Sequence, residues 1–404
     1  QGVAIGIFCN STGEKNHELL GCTIFGDRQY KYKYLEGGLS NLEFTNLYPN
    51  LPFYSFQAEP DGEDISEYDS WSRLDVIMPF GGTGIKTNRD GFSIAFSEEA
   101  LRKRAAIFSD EKISDNTAQE LLGLKENYTW KISDQRQKFR MDQNEDCVRD
   151  IEYRPFDTRK IYYQKNIVFN PRFETMAQAR ANNVFLLSCR QQYAEGFQHV
   201  FATRKMFECC LVSNKSREIT SGFPLFVNPP IEHDLFQPLA PKLNFSDDFL
   251  ATLTNLNVFI IEEGEFDIEQ QADFGYLILG YIYGILSSKK YRERYASKLK
   301  LDFPGIPLTK SQELFSSIAE LGKDLLRCHL LENIESSLQA PKFNSPVGDE
   351  IEKVSYSDGT VWINRSETTG FHDVSEDVWN FRIGSYQVCE KWLKDRQART
   401  GKAP

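Results

Sequence analysis

Residues 153–163, reading Tyr-Arg-Pro-Phe-Asp-Thr-Arg-Lys-Ile-Tyr-Tyr, set three cations and three tyrosines around one proline turn. Guanidinium and ammonium groups grip phosphate oxygens, and a phenol stacks on a base or hydrogen-bonds a phosphate. Arg154, Arg159 and Lys160 are therefore candidate phosphate clamps, with Tyr162 and Tyr163 as stacking or phosphate-bonding groups. The same composition suits an edge strand with its aromatic face against a core, and Arg154 could instead pair with Asp157 to brace the bend.

A second set lies in residues 84–90, where Lys86, Thr87, Asn88, Arg89 and Asp90 follow one another. Arg and Lys reach guanine O6 and N7, Asn suits adenine N6 and N7, and Asp accepts from cytosine N4. The alternative is a solvated loop in which Asp90 caps a turn and pairs with Arg89. Arg190 and Gln191, followed by Gln192, also suit base edges, or form a polar strand end. Arg204, Lys205, Lys215 and Arg217 fit contacts to a phosphate backbone, or a solvated charged face. Lys391, Trp392, Lys394, Arg396 and Arg399 place charge on a helix anchored by Trp392 and Leu393, a helix equally able to dock on the body of the protein.

Two stretches imitate catalytic motifs and fail on inspection. Phe80-Gly-Gly-Thr-Gly84 mimics the glycine loop that binds S-adenosylmethionine, but such a loop should open a helix, and the pattern beyond Asp90 alternates like a strand. Asn228-Pro-Pro-Ile231 mimics the Asn-Pro-Pro-aromatic motif that holds a flipped adenine, yet Ile231 supplies no ring to stack on it. No nuclease carboxylate pair with a nearby lysine, phosphate-binding P-loop or helicase segment is evident, and no catalytic residue is assigned. Were these stretches functional, the chain would be a self-sufficient methyltransferase. A protein-interaction module docking through aromatic helices is the other alternative.

With 404 residues, 40% of them hydrophobic, the chain can build two or three sub-domains. Its net charge of −11 argues against a broadly basic nucleic-acid-coating surface but allows one local cationic side. Acidic residues gather in 59–69, 262–269 and 349–352, and cations in 154–160, 204–217 and 391–402. No apolar run approaches membrane-spanning length. The eight cysteines show no Cys-x-x-Cys spacing, which favours reduced thiols, a cytoplasmic location and no structural metal. The start at Gln1, with neither initiator Met nor leader features, reads as a cut within a longer polypeptide.

The patterning predicts strands over 3–9, 20–34, 74–80 and 92–96, a capped helix from Ser97, and paired strands over 150–168. Short strands follow over 183–188 and 208–213. Residues 48–71 read as a linker. From 247 to 335 the pattern is helical, with Tyr276, Leu279, Tyr283 and Leu286 on one face and a further helix over 311–331. A hairpin turns through Ser357-Asp-Gly359, and a basic helix follows from about Gly384.

Residues 153–163 together with 381–399 resemble the C-terminal specificity region of type ISP and related type IIG-like restriction-modification enzymes, in which an N6-adenine DNA methyltransferase is fused to a target-recognition domain. Residues 84–90, Phe223-Pro-Leu-Phe226 and 281–295 extend that resemblance along most of the chain. It implies a mixed α/β (α+β) fold: a short-stranded mixed or antiparallel recognition sheet, a helical sub-domain, and a C-terminal hairpin plus helix. The expected divisions are 1–70, the end of a methyltransferase-like sheet and a linker; 71–245, the recognition sub-domain; 246–335, helical; and 336–404, hairpin and basic helix. It further implies double-stranded DNA as partner, an upstream methyltransferase domain of the same polypeptide, and S-adenosylmethionine as that domain's cofactor, with no cofactor held by this segment.

Overall fold

The computed structural model describes residues 6–7, 18–24, 26–48, 66–142, 147–193, 196–215, 218–229, 240–256, 268–332, 340–346 and 348–397. The chain divides into two compact units, Gln1–Asp69 and Ser70–Pro404.

In the first unit a two-residue strand, Leu20–Gly21, pairs antiparallel with Thr45–Asn46. Between them the expected strand over 20–34 is replaced by the helix Arg28–Glu36. Asp27 explains the change, because its carboxylate accepts from the Tyr30 amide at 2.8 Å and so caps a helix start. Most of the expected strand over 3–9 and of the expected linker lies outside the described residues.

The second unit is built on two four-stranded sheets. One has the order Met206–Phe207, Val148–Arg154, Asp157–Tyr162, Ile94–Ala95, with a parallel first pair and antiparallel neighbours thereafter. The other is antiparallel throughout, in the order Gly82–Thr83, Thr220–Pro224, Phe185–Cys189, Val200–Thr203. Ile85, Ile151, Ile161, Phe185, Leu187, Phe201 and Phe207 fill a shared core. The mixed α/β class with short mixed and antiparallel strands is thus the observed one.

Several local expectations need correction. Residues 74–80 hold a helical turn, Leu74–Ile77, because Leu74 and Ile77 are buried at helical spacing. Residues 92–96 split into the end of the turn Asp90–Ser93 and the strand Ile94–Ala95. The strand expected over 208–213 does not form; the strand Met206–Phe207 ends just before it, where the Glu208 carboxylate takes the Cys210 amide at 2.7 Å and bends the chain. Ser97 does cap the helix Glu98–Ser109, accepting from the Ala100 amide.

Two long helices, Ile268–Ser287 and Gln312–His329, pack closely through glycines. A Cβ on Gly322 would fall 1.9 Å from the Gly280 carbonyl oxygen, so the backbones meet where no side chain intervenes. On the expected face Leu279, Tyr283 and Leu286 are buried, and Tyr276 partly so. The hairpin Ser355–Ser357/Thr360–Trp362 turns through Asp358 and Gly359, both at positive φ, as a tight two-residue hairpin turn requires. The final helix is Val388–Asp395.

The tip of the Val148–Arg154/Asp157–Tyr162 hairpin reaches the end of the second long helix. Phe156, held at a φ of 59° after Pro155, sets its ring edge-on to Phe201 at 5.0 Å and to His329 at 6.0 Å. Tyr283 and Phe381 also surround that imidazole. Burial, and then the Arg292 charge, push the His329 pKa down from 6.5 to about 4, so the Tyr283 hydroxyl donates to a neutral ring. Because the folded-state value is depressed, His329 contributes stability that is complete above about pH 6.5 and lost as pH falls toward about 4. Urea unfolding at pH 7.5 and pH 5 is expected to show about 2 kcal/mol more loss on acidification in the native chain than in His329→Gln. Equal losses would show that the imidazole is not held neutral.

Candidate nucleic-acid interface

The two aromatic and basic segments of the sequence meet each other in the structure. Their side chains alternate ring and guanidinium: Trp392, Arg396, Phe96, Arg159, Tyr153, Arg154. Successive Arg carbon-to-ring distances along that series are 3.5, 4.9, 4.4, 4.1 and 3.8 Å. Beyond Arg154 the Tyr386 ring lies at 5.6 Å. Each step adds cation–π attraction.

Carboxylates close this ladder. Asp157, only 2% exposed, accepts from Arg159 Nη2 at 2.6 Å through one oxygen and from Arg396 Nη2 at 2.8 Å through the other. Asp395 takes a second bond from Arg159 at 2.8 Å, and Arg154 donates to buried Glu208 at 2.6 Å. In place of the outward phosphate clamps expected at Arg154 and Arg159, the structure therefore has inward arginines held by carboxylates and ring faces, with Arg154 Nε buried and without a hydrogen bond. Lys160 pairs with Asp150 at 2.6 Å on the rim. Tyr162 packs against Phe139.

From this ladder a bond runs to residues 86–90. Burial raises the Tyr153 phenol pKa well above 10, so the hydroxyl stays protonated and donates to Asp90 at 2.8 Å. Asp90 in turn accepts from the Thr87 hydroxyl, which leaves Thr87 buried. Arg89 is buried with its guanidinium 3.8 Å over Trp130; its Nε and Nη1 make no hydrogen bond, and burial lowers its pKa. Lys86 and Asn88 remain exposed, Asn88 at a φ of 58°.

Lys86 is zipped to a second loop that the sequence reading passed over. Its amide donates to the Asn170 carbonyl at 3.0 Å, and the Asn170 amide returns a bond to Lys86 at 2.8 Å. The loop reads Phe169-Asn-Pro-Arg-Phe173. Phe169 and Phe173 are 50% and 51% exposed, and Arg172 is exposed in the left-handed region at φ 54°. Tyr163 braces it from beneath, donating to the Pro171 carbonyl at 2.8 Å and meeting the Phe173 ring edge-on at 5.2 Å. Lys165 is exposed on the approach to the same loop. The overlooked signal was compositional: arginine and two phenylalanines about a proline repeat the character of residues 153–163.

The remaining candidates are dispersed. Arg190 pairs with Asp302 at 2.8 Å, with Gln191 exposed beside it. Arg204 binds Glu332, the Asn183 carbonyl and Tyr276, joining the sheet to the helices. Lys205 donates to Thr158 at 2.8 Å. Arg217 and Arg399 lie outside the described residues. Arg89, Arg159 and Arg190 thus end on three different sets of partners.

The motif imitations also have structural explanations. A Cβ at Gly84 would sit 2.6 Å from the Glu208 carbonyl carbon, so close backbone approach accounts for that glycine. Asn228 is buried and bonded to the Gln178 amide oxygen, while Ile231 lies outside the described residues. Among the described residues one metal-competent grouping occurs: Glu208, Cys209 and Cys210, with donor atoms within 4.8 Å of one another. Glu208 is already neutralised by Arg154. No described helix is long and apolar enough to cross a membrane.

Replacing Asp157 by Asn removes the carboxylate that joins hairpin to final helix and leaves Arg159 and Arg396 short of a partner. The expected cost is about 3 kcal/mol of stability, read by denaturant unfolding, with faster amide exchange across 388–395. A loss below about 0.5 kcal/mol would mean the ladder is not a structural fastening.

Residues 76–403 match the family described as the Type ISP C-terminal specificity domain. No curated protein matches the chain significantly. Solved structures with a similar fold include a nuclease-deletion mutant of the Type ISP restriction-modification enzyme LlaGI in complex with a DNA substrate mimic, at TM-score 0.64 and 17% identity over 96% of this chain. The ATP-dependent Type ISP restriction-modification enzyme LlaBIII bound to DNA gives 0.62 and 17% over 91%, and a DrdV–DNA complex 0.62 and 20% over 93%. The present chain spans 30%, 23% and 38% of those three proteins respectively. With the match running through both the sheet-bearing and helical parts just described, this chain belongs to the Type ISP C-terminal specificity domain family.

Proposed function

We propose that the chain is the DNA target-recognition part of a larger restriction-modification polypeptide, holding duplex DNA and reading a short site for a catalytic domain elsewhere in that polypeptide. The observation that carries this reading is the zipped pair of loops at 86–90 and 163–173. They present Lys86, Lys165 and Arg172 without a carboxylate partner among the described residues, next to the exposed amide of Asn88. Cations there grip phosphates, and Asn88 has the donor and acceptor needed at an adenine edge. The family and the DNA complexes formed by similarly folded enzymes support the same reading.

In the finer form of the proposal the catalytic partner is an S-adenosylmethionine-dependent adenine-N6 methyltransferase upstream in the same polypeptide. This segment supplies binding energy and register while that domain flips an adenine from the held duplex. A cytoplasmic location is part of the same proposal, and the free thiols of the described cysteines are compatible with it.

Fluorescence anisotropy with a 30-bp duplex of random sequence tests the interface. Binding is expected with a dissociation constant on the order of 10⁻⁵ M at physiological salt, weakening as salt rises. Lys86→Ala and Arg172→Ala should each flatten the slope of log affinity against log salt by about 1. Arg190→Ala, whose guanidinium is held by Asp302, should leave that slope unchanged. Salt-independent binding, or slopes unaltered in both loop variants, would contradict the assignment.

A further inference from the structure

We infer that Phe169 and Phe173 form a wedge that enters the base stack of the duplex and opens one step of it. This inference rests on the DNA-binding reading above and adds to it a mode of contact. Half-exposed phenylalanines on a turn are ordinary when something covers them. Phe96, 52% exposed, is covered by the Arg159 and Arg396 guanidiniums, and Phe343 lies against Phe371 at 4.7 Å between ring centres. Phe169, with the Lys86 ammonium 5.9 Å from its ring centre, and Phe173, with the Tyr163 ring edge-on at 5.2 Å, keep half their surface exposed on a loop braced by backbone hydrogen bonds.

A wedge must be stiff, because a ring that folds back on its own loop gains nothing by entering a stack. Here Pro171 fixes the backbone, and Asn170 is tied in both directions to Lys86. The Phe169 amide also bonds the Thr87 carbonyl at 3.3 Å, while Ile167 and Val168 are rooted in the interior. Phe173 stands edge-on against Tyr163.

Charge selects the occupant. Lys86 Nζ lies 5.9 Å from the Phe169 ring centre, and Arg172 falls between the two phenylalanines in sequence. An apolar blade flanked by cations fits a duplex, whose base steps lie between two phosphate strands, since inserted apolar side chains partly unstack and kink DNA while cations hold the backbone on either side. The one acidic neighbour in this stretch, Glu174, follows Phe173 at the start of a short helical turn.

Opening a step costs free energy that a distorted duplex has already spent, so a wedge favours DNA that is unstacked beforehand. The test compares a 30-bp random-sequence duplex with the same duplex carrying two central mismatches. The native chain should bind the mismatched duplex about tenfold more tightly. The double variant Phe169→Ala/Phe173→Ala should bind both alike, within about threefold of the native affinity for the intact duplex, because Lys86, Lys165 and Arg172 remain. Phe169→Trp/Phe173→Trp should restore the preference and guards against a trivial folding defect. Equal binding of both duplexes by the native chain, or a preference that survives in the alanine variant, overturns the wedge while leaving the DNA interface standing. Absence of any binding by the native chain overturns the interface itself and the wedge with it.

Discussion

A single buried carboxylate, Asp157, lies between two arginines far apart in sequence, and much of the second unit's order follows from it. Arg159 comes from its own strand and Arg396 from the last described turn of the chain. Removed from water, neither guanidinium is tolerable alone and neither is the carboxylate, so the three hold one another. The rings of Phe96, Tyr153 and Trp392 then cover guanidinium faces that would otherwise need solvent.

This fastening positions the surface as well as the interior. Tyr153 is pressed between Arg154 and Arg159 and passes the constraint to Asp90, which fixes the turn holding Lys86 and Asn88 outward. The loop of Phe169 and Phe173 is sewn to the same turn by backbone hydrogen bonds. Cations therefore divide into two populations. Those of the ladder are consumed internally, whereas Lys86, Lys165 and Arg172 of the loops are exposed with no carboxylate partner among the described residues. A chain of net charge −11 can hold a polyanion in this way, because only the local loop charges need face it.

The fold class was legible because short alternating runs, the Ser97 cap and the Asp358-Gly359 turn are local signals with local causes. Helix–strand confusion arose where a run was too short to show its period: Leu74 and Ile77 fit either pattern until burial decides. Residues 153–163 and 381–399 were legible as a matched pair, yet composition cannot say whether cations and tyrosines face a ligand or each other. The answer depends on Asp157 and Asp395, two carboxylates far apart in sequence that reach the same arginine. Arg154 facing Asp157 across the hairpin was foreseen as a brace, and the acceptor proved to be Glu208. Phe169 and Arg172 were missed because their exposure follows from the loop's pairing with Lys86, which no local pattern announces.

The proposed division of cations into internal and DNA-facing groups is tested most directly by lysine acetylation footprinting with and without duplex DNA. The structure predicts that DNA protects Lys86 and Lys165 and leaves Lys160 and Lys391, paired with Asp150 and Asp395, as reactive as before. Protection of Lys160 and Lys391 with none at Lys86 and Lys165 would place the interface on the ladder and contradict the account.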